Sequence, residues 1–498
     1  MSSGQIIFIA LIIIVTVMGF IASRWRSANL ERLDQWALGG RGFGTVVSWF
    51  LLGGDLYTAY TFIAVPALVF GAGAIGFFAV PYTTIAYPFV FVVMARFWTV
   101  ARNRNYVTIA DFVRDRFGDR SLEIAIALTG FVAAMPYIAL QLLGMQVVLA
   151  QYLPGATAEN VTLIVAFVVL AAYTYTSGLR APALIAFVKD TLLYVTILAA
   201  IIYIPARLGG WGHIFSAAGA ALRTHKPPGA LILPPNLYFA YASLAFGSAM
   251  SLFIYPHSIT SLLSAKSRLV IQRNSALLPL YSILLALLAL LGYCALAAHV
   301  HTKDPNASIP LLFRAFFPDW FLGIAYAAIV VGALVPAAIM AIGSANLFAS
   351  NVFQEFVRER PRSQTHYAKL LCVAVCAAAL VVKFELPVQY AIYFQLLGGS
   401  LMLQAFPAAV LGLYTRWFHP KALLIGWGGG IIASVAMAKA AHFQAVFALP
   451  LGGGHTLIGY IALYAVLLNI IIAAVMTLIF QAIRLQPGRD LTVAADYA

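Results

Sequence analysis

Three charged residues lie deep within long apolar stretches of the chain: Asp55, Lys189 and Asp190. A charged side chain at the centre of a bilayer costs about 2.5 to 3.5 kcal/mol on insertion scales, so such residues pair with one another or line a polar cavity. Counting about 1.5 Å per residue along a helix puts Asp55 roughly 15 Å and Lys189 roughly 12 Å from one membrane surface. Both are therefore predicted near the midplane, where they could bind or relay an ion.

Each of these residues also has a simpler interpretation. Asp55 and Lys189 could form a structural ion pair that holds two helices together and has no part in moving an ion or a solute. Asp190 lies about 100° round the helix from Lys189, so its side chain could reach toward a cytoplasmic vestibule and act as a gate, or simply be solvated. Because ionisable residues inside a membrane usually mark a pathway, we take all three as candidate ion-coupling residues.

The segment FLLGGDLYTAYTF places two glycines immediately before Asp55. Glycine within a helix costs roughly 0.5–1 kcal/mol relative to alanine and permits non-helical backbone conformations. We therefore predict that the helix breaks at Gly53 and Gly54 and exposes backbone groups at the midplane. An anionic solute could meet free N–H groups there, with the hydroxyls of Tyr57 and Thr58 as further ligands.

A second apolar stretch, the seventh along the chain, is predicted to be interrupted as well. It contains Gly247-Ser248 and then Pro256-His257, and each break alone could be a packing kink. Interrupted spans at matching positions of two halves are typical of transporters built from inverted repeats around a central binding site. Ser248 is therefore a candidate solute ligand, and Gln141 of the fourth span is another; each could equally bond a neighbouring helix.

The composition explains the apolar stretches. Of the 498 residues, 63% are hydrophobic and 9% are charged, and the mean hydropathy is +0.93. A soluble domain carries about 25% charged residues, so an all-α integral membrane protein is predicted. The predicted spans, each about 20 residues or longer, are 5–23, 45–71, 74–98, 121–152, 160–177, 182–204, 237–263, 275–300, 320–350, 367–384, 388–414, 422–441 and 457–482.

The formal net charge of +14 is a signal of topology. If the short N-terminus lies outside and the loops alternate, most of the 30 Lys and Arg residues fall on the inside. Such a bias orients multi-pass proteins. We therefore predict the N-terminus outside and the C-terminus in the cytoplasm, with a lipid bilayer as partner and no nucleic acid; the oligomeric state stays open.

No cluster of catalytic or metal-binding residues accompanies the buried charges. GAGAIG, residues 71–76, matches a dinucleotide-binding fingerprint, but it follows no predicted strand and has no acid about 20 residues on, so a tight turn is predicted. The three cysteines are predicted to be small buried hydrophobes. The first apolar run lacks a signal-peptide cleavage site and is predicted to be a retained helix. We expect that the protein is not an enzyme and that it binds no cofactor and no metal.

Four segments together resemble the sodium:solute symporter family. LGGRGFGTVVSWFLLGGDLYTAY is similar to the start of that family's second span, and SGLRAPALIAFVKDTLLY resembles its G-G-L-x-A-V-x-x-T-D-x-x-Q element. FIYPHSITSLLSAKS resembles its G-x-P-H segment, and PAAIMAIGSANLFASNVFQEF resembles A-A-x-M-S-T-x-x-S-x-L-L-x-x-S-S. Within the family, LGGDLYTAYTFIAVPALVFG is most similar to the bacterial monocarboxylate permeases.

The resemblance implies a LeuT-like fold that works by alternating access, with about thirteen transmembrane helices in a single domain. Its first repeat of five helices would occupy residues 45–204, and its second, inverted repeat residues 237–414. A first helix and loop would occupy residues 1–44. Two further helices and a tail would occupy residues 415–498.

One departure from the family pattern bears on the coupling ion. The resemblance implies a sodium site with two neighbouring hydroxyls in the ninth span, but the matching residues are Ala341 and Ile342. Sodium is a hard cation that needs several oxygen ligands, so the site is predicted to be degenerate, unless a register slip lets Ser344 supply a hydroxyl. The T-D pair of the family's sixth span is Lys189-Asp190 here.

We therefore hypothesise that the ammonium of Lys189 replaces sodium, as a lysine does in some amino-acid transporters of this architecture, and that the coupling ion is a proton. Burial favours the neutral form of an ionisable side chain, and a nearby opposite charge favours the charged form. Lys189 beside Asp55 is a candidate proton carrier, and Asp55 is its rival. Lys189 could instead bind the substrate carboxylate directly.

The combined expectation is a symporter that imports small monocarboxylates such as lactate or pyruvate across a bacterial inner membrane. The alternative is a sodium-coupled symporter of another small solute, such as an amino acid or a sugar. A sensor module for a kinase is disfavoured because the chain ends soon after its last predicted span. A membrane enzyme is disfavoured because no catalytic residues converge.

Overall fold

The computed structural model describes residues 1–22, 30–54, 57–153, 155–225, 227–356, 361–386 and 388–497. Within these ranges the chain is almost entirely helical, with one short β-hairpin. Ten of the described helices are long and apolar enough to cross a membrane, and a bent pair counted as one span makes eleven. The all-α membrane fold is confirmed, while the total of about thirteen spans stays a prediction.

The elements follow one another with short loops. In the first half of the chain they are α1 (Ser3–Ile21), α2 (Leu33–Leu38), α3 (Thr45–Gly54), α4 (Val65–Ala72), α5 (Ala79–Phe89), α6 (Ala95–Asn103), α7 (Ile109–Phe117), α8 (Arg120–Leu149), α9 (Ala156–Ser177), α10 (Arg180–Arg207) and α11 (Trp211–Thr224). In the second half they are α12 (Tyr238–Leu252), α13 (Pro256–Leu263), α14 (Arg268–Leu277), α15 (Pro279–Ala297), α16 (Ser308–Phe316), α17 (Asp319–Phe348), α18 (Gln354–Phe356), α19 (Pro361–Glu385), α20 (Ile392–Met402), α21 (Phe406–Ala409), α22 (Pro420–Ala440), β1 (Val446–Gly452), β2 (His455–Tyr460) and α23 (Ile461–Ala482).

The second predicted span is broken at the Gly-Gly pair, as the sequence predicts. Helix α3 ends at Gly54, and the chain becomes helical again at a π-helical turn, Tyr60–Ala64, which continues into α4. At 10 residues, α3 is too short to cross a bilayer alone. Asp55 and Leu56, between the two half-helices, lie outside the described residues, so the role of Asp55 stays a prediction.

The seventh predicted span is also two helices, but its break lies elsewhere than predicted. Helices α12 and α13 meet at a bend of 51°. Pro256 opens α13, a position at which its missing N–H costs nothing. Gly247 and Ser248 lie within the regular helix α12, so the predicted interruption there was wrong. Gly247 serves packing instead, because an added Cβ would come within 2.7 Å of the Tyr460 ring.

A β-hairpin and a surface helix were not predicted. Strands β1 and β2 pair as an antiparallel hairpin, so the last span begins at Ile461 and the predicted start at residue 457 was wrong. Helix α11 precedes the proline-rich segment of its loop and ends at Thr224. Neither the hairpin nor α11 is a continuous apolar run of about 20 residues, so hydropathy does not identify them.

Helix α17 and the π-helical turn that follows it form the central span. In the most apolar stretch of this span, 94% of the residues are buried inside the protein. The span packs against α1, α8, α10, α13 and α19. Small residues let neighbouring backbones approach closely, and at Gly343 an added Cβ would come within 2.7 Å of the carbonyl of Pro256. Packing against α17 therefore positions α10, which carries Lys189, and α13, which follows the second break.

A surface helix, α7, joins the third and fourth spans. Thr108 caps it by accepting the N–H of Asp111, whose carboxylate accepts the N–H of Thr108 in return. The side-chain amide of Asn351 donates to Asp111 at 2.6 Å and to Glu123 of α8 at 2.9 Å. Burial raises the pKa of Asp111, and these hydrogen bonds oppose that effect. The bonds to Asn351 tie α7 to the end of the central span.

The C-terminal segment packs over the same surface. The guanidinium of Arg116 in α7 is buried, and it donates to the carbonyls of Gly412 and Thr415 and to the carboxylate of Asp490. The N–H of Leu491 donates to the backbone of α7. Arg116 therefore joins three parts of the chain: α7, the loop before α22 and the C-terminal segment.

We expect Arg116→Leu to destabilise the protein, because removing one partner of a buried ion pair costs about 3–5 kcal/mol. Arg416→Leu is the matched control: Arg416 contacts the same Asp490 at 3.2 Å, but 64% of its side chain is exposed, and exposed pairs contribute about 0–1 kcal/mol. Thermal unfolding in detergent should show a large fall in the melting temperature of Arg116→Leu and little change in that of Arg416→Leu. Equal shifts would contradict the role assigned to Arg116.

Candidate functional site

The ammonium of Lys189 lies at the end of the first half-helix of the second span. Lys189 is on α10 and fully buried, and its Nζ donates to the carbonyls of Gly54 at 3.4 Å and Tyr57 at 3.1 Å. The last carbonyls of a helix have no partner within the helix, and partial negative charge collects there. The break thus forms a cation site of backbone oxygens, and the ammonium occupies it.

Asp190, the next residue on α10, completes the surroundings of this ammonium. Its Oδ1 lies 2.5 Å from Nζ of Lys189, and its Oδ2 accepts a hydrogen bond from the Tyr281 hydroxyl at 3.2 Å. The side chain is 1% exposed, so the expectation that it reaches a cytoplasmic vestibule was wrong. The ion pair and the hydroxyl compensate for the loss of water. Among the described residues, Asp190 is the carboxylate that pairs with Lys189.

The two glycines before the break make room for these partners. A Cβ added at Gly54 would lie 3.3 Å from Nζ of Lys189, and a Cβ added at Gly53 would overlap the ring of Tyr281. Tyr281 is held further by Tyr57, whose hydroxyl donates to the Tyr281 carbonyl at 2.9 Å and whose ring centre lies 4.6 Å from that of Tyr281. The Gly-Gly pair therefore permits the close approach of α10 and α15 as well as the end of the helix.

The N–H groups at the start of the second half-helix are already bonded. The N–H of Ala59 donates to Oε1 of Gln141 at 3.0 Å, and the N–H of Tyr60 donates to the hydroxyl of Thr58 at 2.9 Å. Both acceptors act as caps of the half-helix. The Gly-Gly pair presents carbonyls rather than the free N–H groups that were predicted to receive an anion. The assignment of Tyr57, Thr58 and Gln141 as solute ligands stays a prediction.

The residues that match the family's hydroxyl ligands for sodium are buried in the central span. Ala341 and Ile342 lie within the regular helix α17 and are fully buried, and neither side chain has an oxygen. The hydroxyl of Ser344 is buried without a hydrogen-bond partner in the described part of the chain. The degenerate sodium site, and the alternative in which Ser344 supplies a ligand, both stay predictions.

A second group of buried polar residues lies around the breaks, and sequence reasoning did not single it out. The ring of His257 lies 5.4 Å from that of Tyr137 and 5.2 Å from that of Tyr255. The hydroxyl of Tyr255 donates to the Gln395 carbonyl at 3.3 Å. We name this group the polar cluster, and its members are Tyr60, Tyr82, Tyr137, Tyr255, His257, Gln395 and Tyr460.

Several atoms of the polar cluster have no hydrogen-bond partner among the described residues. They are both ring nitrogens of His257, both amide atoms of Gln395 and the hydroxyl of Tyr60, together with the neighbouring Nε2 of Gln141. More than about 90% of buried polar groups in proteins are hydrogen-bonded, so such a concentration makes the polar cluster a candidate ligand site. Ring N–H, amide and hydroxyl donors suit a carboxylate. Ser248, a predicted ligand, lies beside Tyr460.

Sequence reasoning missed the polar cluster because spacing along one helix does not reveal which faces of different helices meet. Two signals were present. His257 directly follows Pro256, which opens the helix after the break, and Gln395 is an amide within the apolar run 388–414.

A sequence profile of the sodium:solute symporter family matches residues 36–429. The chain belongs to the sodium:solute symporter family. This symporter is 48% identical over 479 residues to the "Monocarboxylate transport permease protein" of Rhizobium johnstonii, with 96% of each chain covered. It is 32% identical over 448 residues to the uncharacterized symporter YodF of Bacillus subtilis, with 88% of each chain covered.

Solved structures share the fold of the symporter. A Na+-coupled sialic acid symporter in a substrate-bound, outward-open state matches it with a TM-score of 0.78 at 16% identity, over 99% of this chain and 100% of that one. Mhp1, a nucleobase-cation-symport-1 family transporter in a closed conformation, matches with a TM-score of 0.52 at 12% identity, over 92% and 96% of the two chains. At these identities the likeness establishes the fold alone, and that fold is the predicted LeuT-like one.

We expect Gly53→Ala in the symporter to displace Tyr281 and to lower thermal stability and solute uptake, because overpacking a buried site costs about 1–3 kcal/mol. Gly428→Ala in α22 is the matched control: an added Cβ meets nothing within 4 Å there, and alanine stabilises a helix by about 0.5–1 kcal/mol relative to glycine. Unfolding in detergent and uptake in proteoliposomes measure both effects. Full stability and uptake in Gly53→Ala would contradict the close approach of Tyr281.

Proposed function

We propose that this symporter imports small monocarboxylates, such as lactate or pyruvate, across a bacterial inner membrane. The relative named as a monocarboxylate transport permease, 48% identical over 96% of the chain, supports the substrate class. The distribution of Lys and Arg supports an N-terminus outside and a C-terminus in the cytoplasm. Membership of a symporter family supports transport rather than catalysis.

The coupling ion in this proposal is a proton, with Lys189 in the place of sodium. The observation that carries this step is the set of oxygens around the ammonium. An ammonium has three N–H donors, and three oxygens lie within 3.4 Å of Nζ: the carbonyls of Gly54 and Tyr57 and Oδ1 of Asp190. Carbonyl and carboxylate oxygens are the ligands that hard cations prefer. A covalently attached ammonium among them takes the position that a free cation would need.

The same three contacts favour a structural role for Lys189 over direct binding of substrate. Three oxygens already surround the ammonium, so a substrate carboxylate would have to displace one, and leaving a buried polar group unsatisfied costs about 1–3 kcal/mol. The polar cluster has unpartnered donors in His257, Gln395 and Tyr60. We therefore assign the carboxylate of the solute to the polar cluster, together with Gln141 and Ser248.

Protonation of Lys189 gives a physical link between the proton and the conformation of the second span. The charged ammonium attracts the carbonyls at the end of α3 and holds them against α10. A neutral amine has one donor fewer and no net charge, so release of the proton weakens this contact. Asp190 and Tyr281 extend the hydrogen-bonded chain away from the break. Asp55, outside the described residues, is the rival proton carrier.

Uptake of labelled lactate, pyruvate and proline into proteoliposomes, with proton and sodium gradients imposed separately, tests the proposed function. We expect a proton gradient to drive uptake of lactate or pyruvate, and replacement of sodium by choline to have little effect. A large loss of uptake without sodium would favour the sodium-coupled alternative. Uptake of proline with neither acid transported would overturn the substrate class.

Substitution of Lys189 tests the replacement of sodium by an ammonium. We expect Lys189→Ala to lose proton-driven accumulation. In Lys189→Ala/Ala341→Ser/Ile342→Thr, which adds two hydroxyls in the ninth span, sodium should stimulate uptake. Ala341→Ser/Ile342→Thr with Lys189 retained is the control and should stay independent of sodium, because the ammonium still occupies the site. Full proton-driven accumulation in Lys189→Ala would contradict the hypothesis.

A further inference from the structure

A cavity of about 730 Å³ opens where five segments of the chain meet. They are the end of α4, the loop after α11, the loop before α16, the start of α20 and the turn before β1. All five lie on the side that the predicted topology places outside. This outer cavity is separate from the Lys189 site and has no part in the proposed coupling mechanism.

The outer cavity has basic side chains in its lining and no carboxylate from the described residues. Its titratable side chains are His225, His301, Lys303, Tyr390 and Tyr393. The acid next to Lys303 is Asp304, and its carboxylate accepts hydrogen bonds from the N–H of Asn306 at 3.0 Å and from the Asn306 side chain at 2.7 Å. Lys226, beside His225 in the sequence, lies outside the described residues. Among the described residues that line the cavity, the formally charged side chain is therefore the cation Lys303.

The floor of the outer cavity lies at the outer ends of the helices that carry the polar cluster. Tyr390 packs against Gly71 there, and Nδ1 of His225 lies 3.2 Å from the carbonyl of Gly71. At about 1.5 Å per residue, Gly71 is about 16 Å along the second span from Tyr60, and Tyr390 is about 8 Å along the eleventh span from Gln395. The second and eleventh spans therefore connect the floor of the cavity to the polar cluster.

We propose that the outer cavity is a capture site for small carboxylates, in which His225, His301 and Lys303 hold the anion before it reaches the polar cluster. The inference rests on the proposed function, which gives the solute its negative charge. A cleft lined by one sign of charge raises the on-rate of an oppositely charged ligand by about 10–10³-fold. The volume suits a drug-sized ligand and far exceeds a three-carbon acid, so the anion is held with its water, by charge rather than by fit.

Charge reversal in the full-length protein, reconstituted in proteoliposomes, tests the capture site. For Lys303→Glu we expect the KM for lactate to rise about tenfold with little change in kcat, and the dependence of KM on ionic strength to weaken. Lys303→Arg should behave like the unsubstituted protein. Lys439→Glu is the matched control, because Lys439 is exposed at the end of α22 and does not line the cavity; its KM should not change. If Lys303→Glu loses all uptake, Lys303→Gln takes its place, with a smaller rise in KM expected.

His301→Glu in lactate exchange tests a second side chain of the capture site. We expect its KM for lactate to rise, because the substitution adds a negative charge to the lining of the cavity. Unchanged KM and salt dependence in the Lys303 and His301 variants, while the unsubstituted protein transports lactate, would overturn the capture site and leave the proposed function intact. If the unsubstituted protein transports no monocarboxylate, the proposed function fails, and the two failures are thereby distinguished.

Discussion

The rest of the site depends on keeping one ammonium deep inside the protein. A buried charge is tolerated when it is paired and hydrogen-bonded, and Lys189 meets this condition with two carbonyls and the carboxylate of Asp190. The carbonyl of Gly54 has no partner within α3 because this first half of the second span ends at Gly54. Tyr281 can reach Asp190 because Gly53 has no side chain in its way. The break, the glycines and the ion pair therefore form one interdependent arrangement.

The two ends of the break in the second span differ in polarity. The end of α3 presents carbonyls to a cation, while the start of the next half-helix has its N–H groups capped by Thr58 and Gln141. Unpartnered donors lie instead in the polar cluster, on His257 after the second break and on Gln395 of α20. In a fold of inverted repeats, the two broken spans can thus contribute different chemistry to one centre.

Hydropathy predicts much of this fold because every membrane span must satisfy its own backbone hydrogen bonds. The predicted spans 121–152 and 182–204 correspond to α8 and α10 to within a few residues. The cap of α7 was also predictable, since Thr108 and Asp111 are three residues apart and bond each other. Strand β1 and the surface helix α11 lie outside the predicted spans, and β2 overlaps the predicted start of the last span, so hydropathy did not identify these elements.

By itself, the sequence determined that the chain is a helical membrane protein, that its second and seventh spans are interrupted, and that Lys189 lies deep within an apolar span. These features depend on residue type and local spacing. The tertiary structure decided which groups meet: Asp190 pairs with Lys189 and Tyr281, and His257 lies beside Tyr255. It also decided the exact position of the break in the seventh span. The physical reason is that contacts between helices depend on the depth and rotation of each helix, which are set by packing of small residues against α17 and have no local sequence pattern.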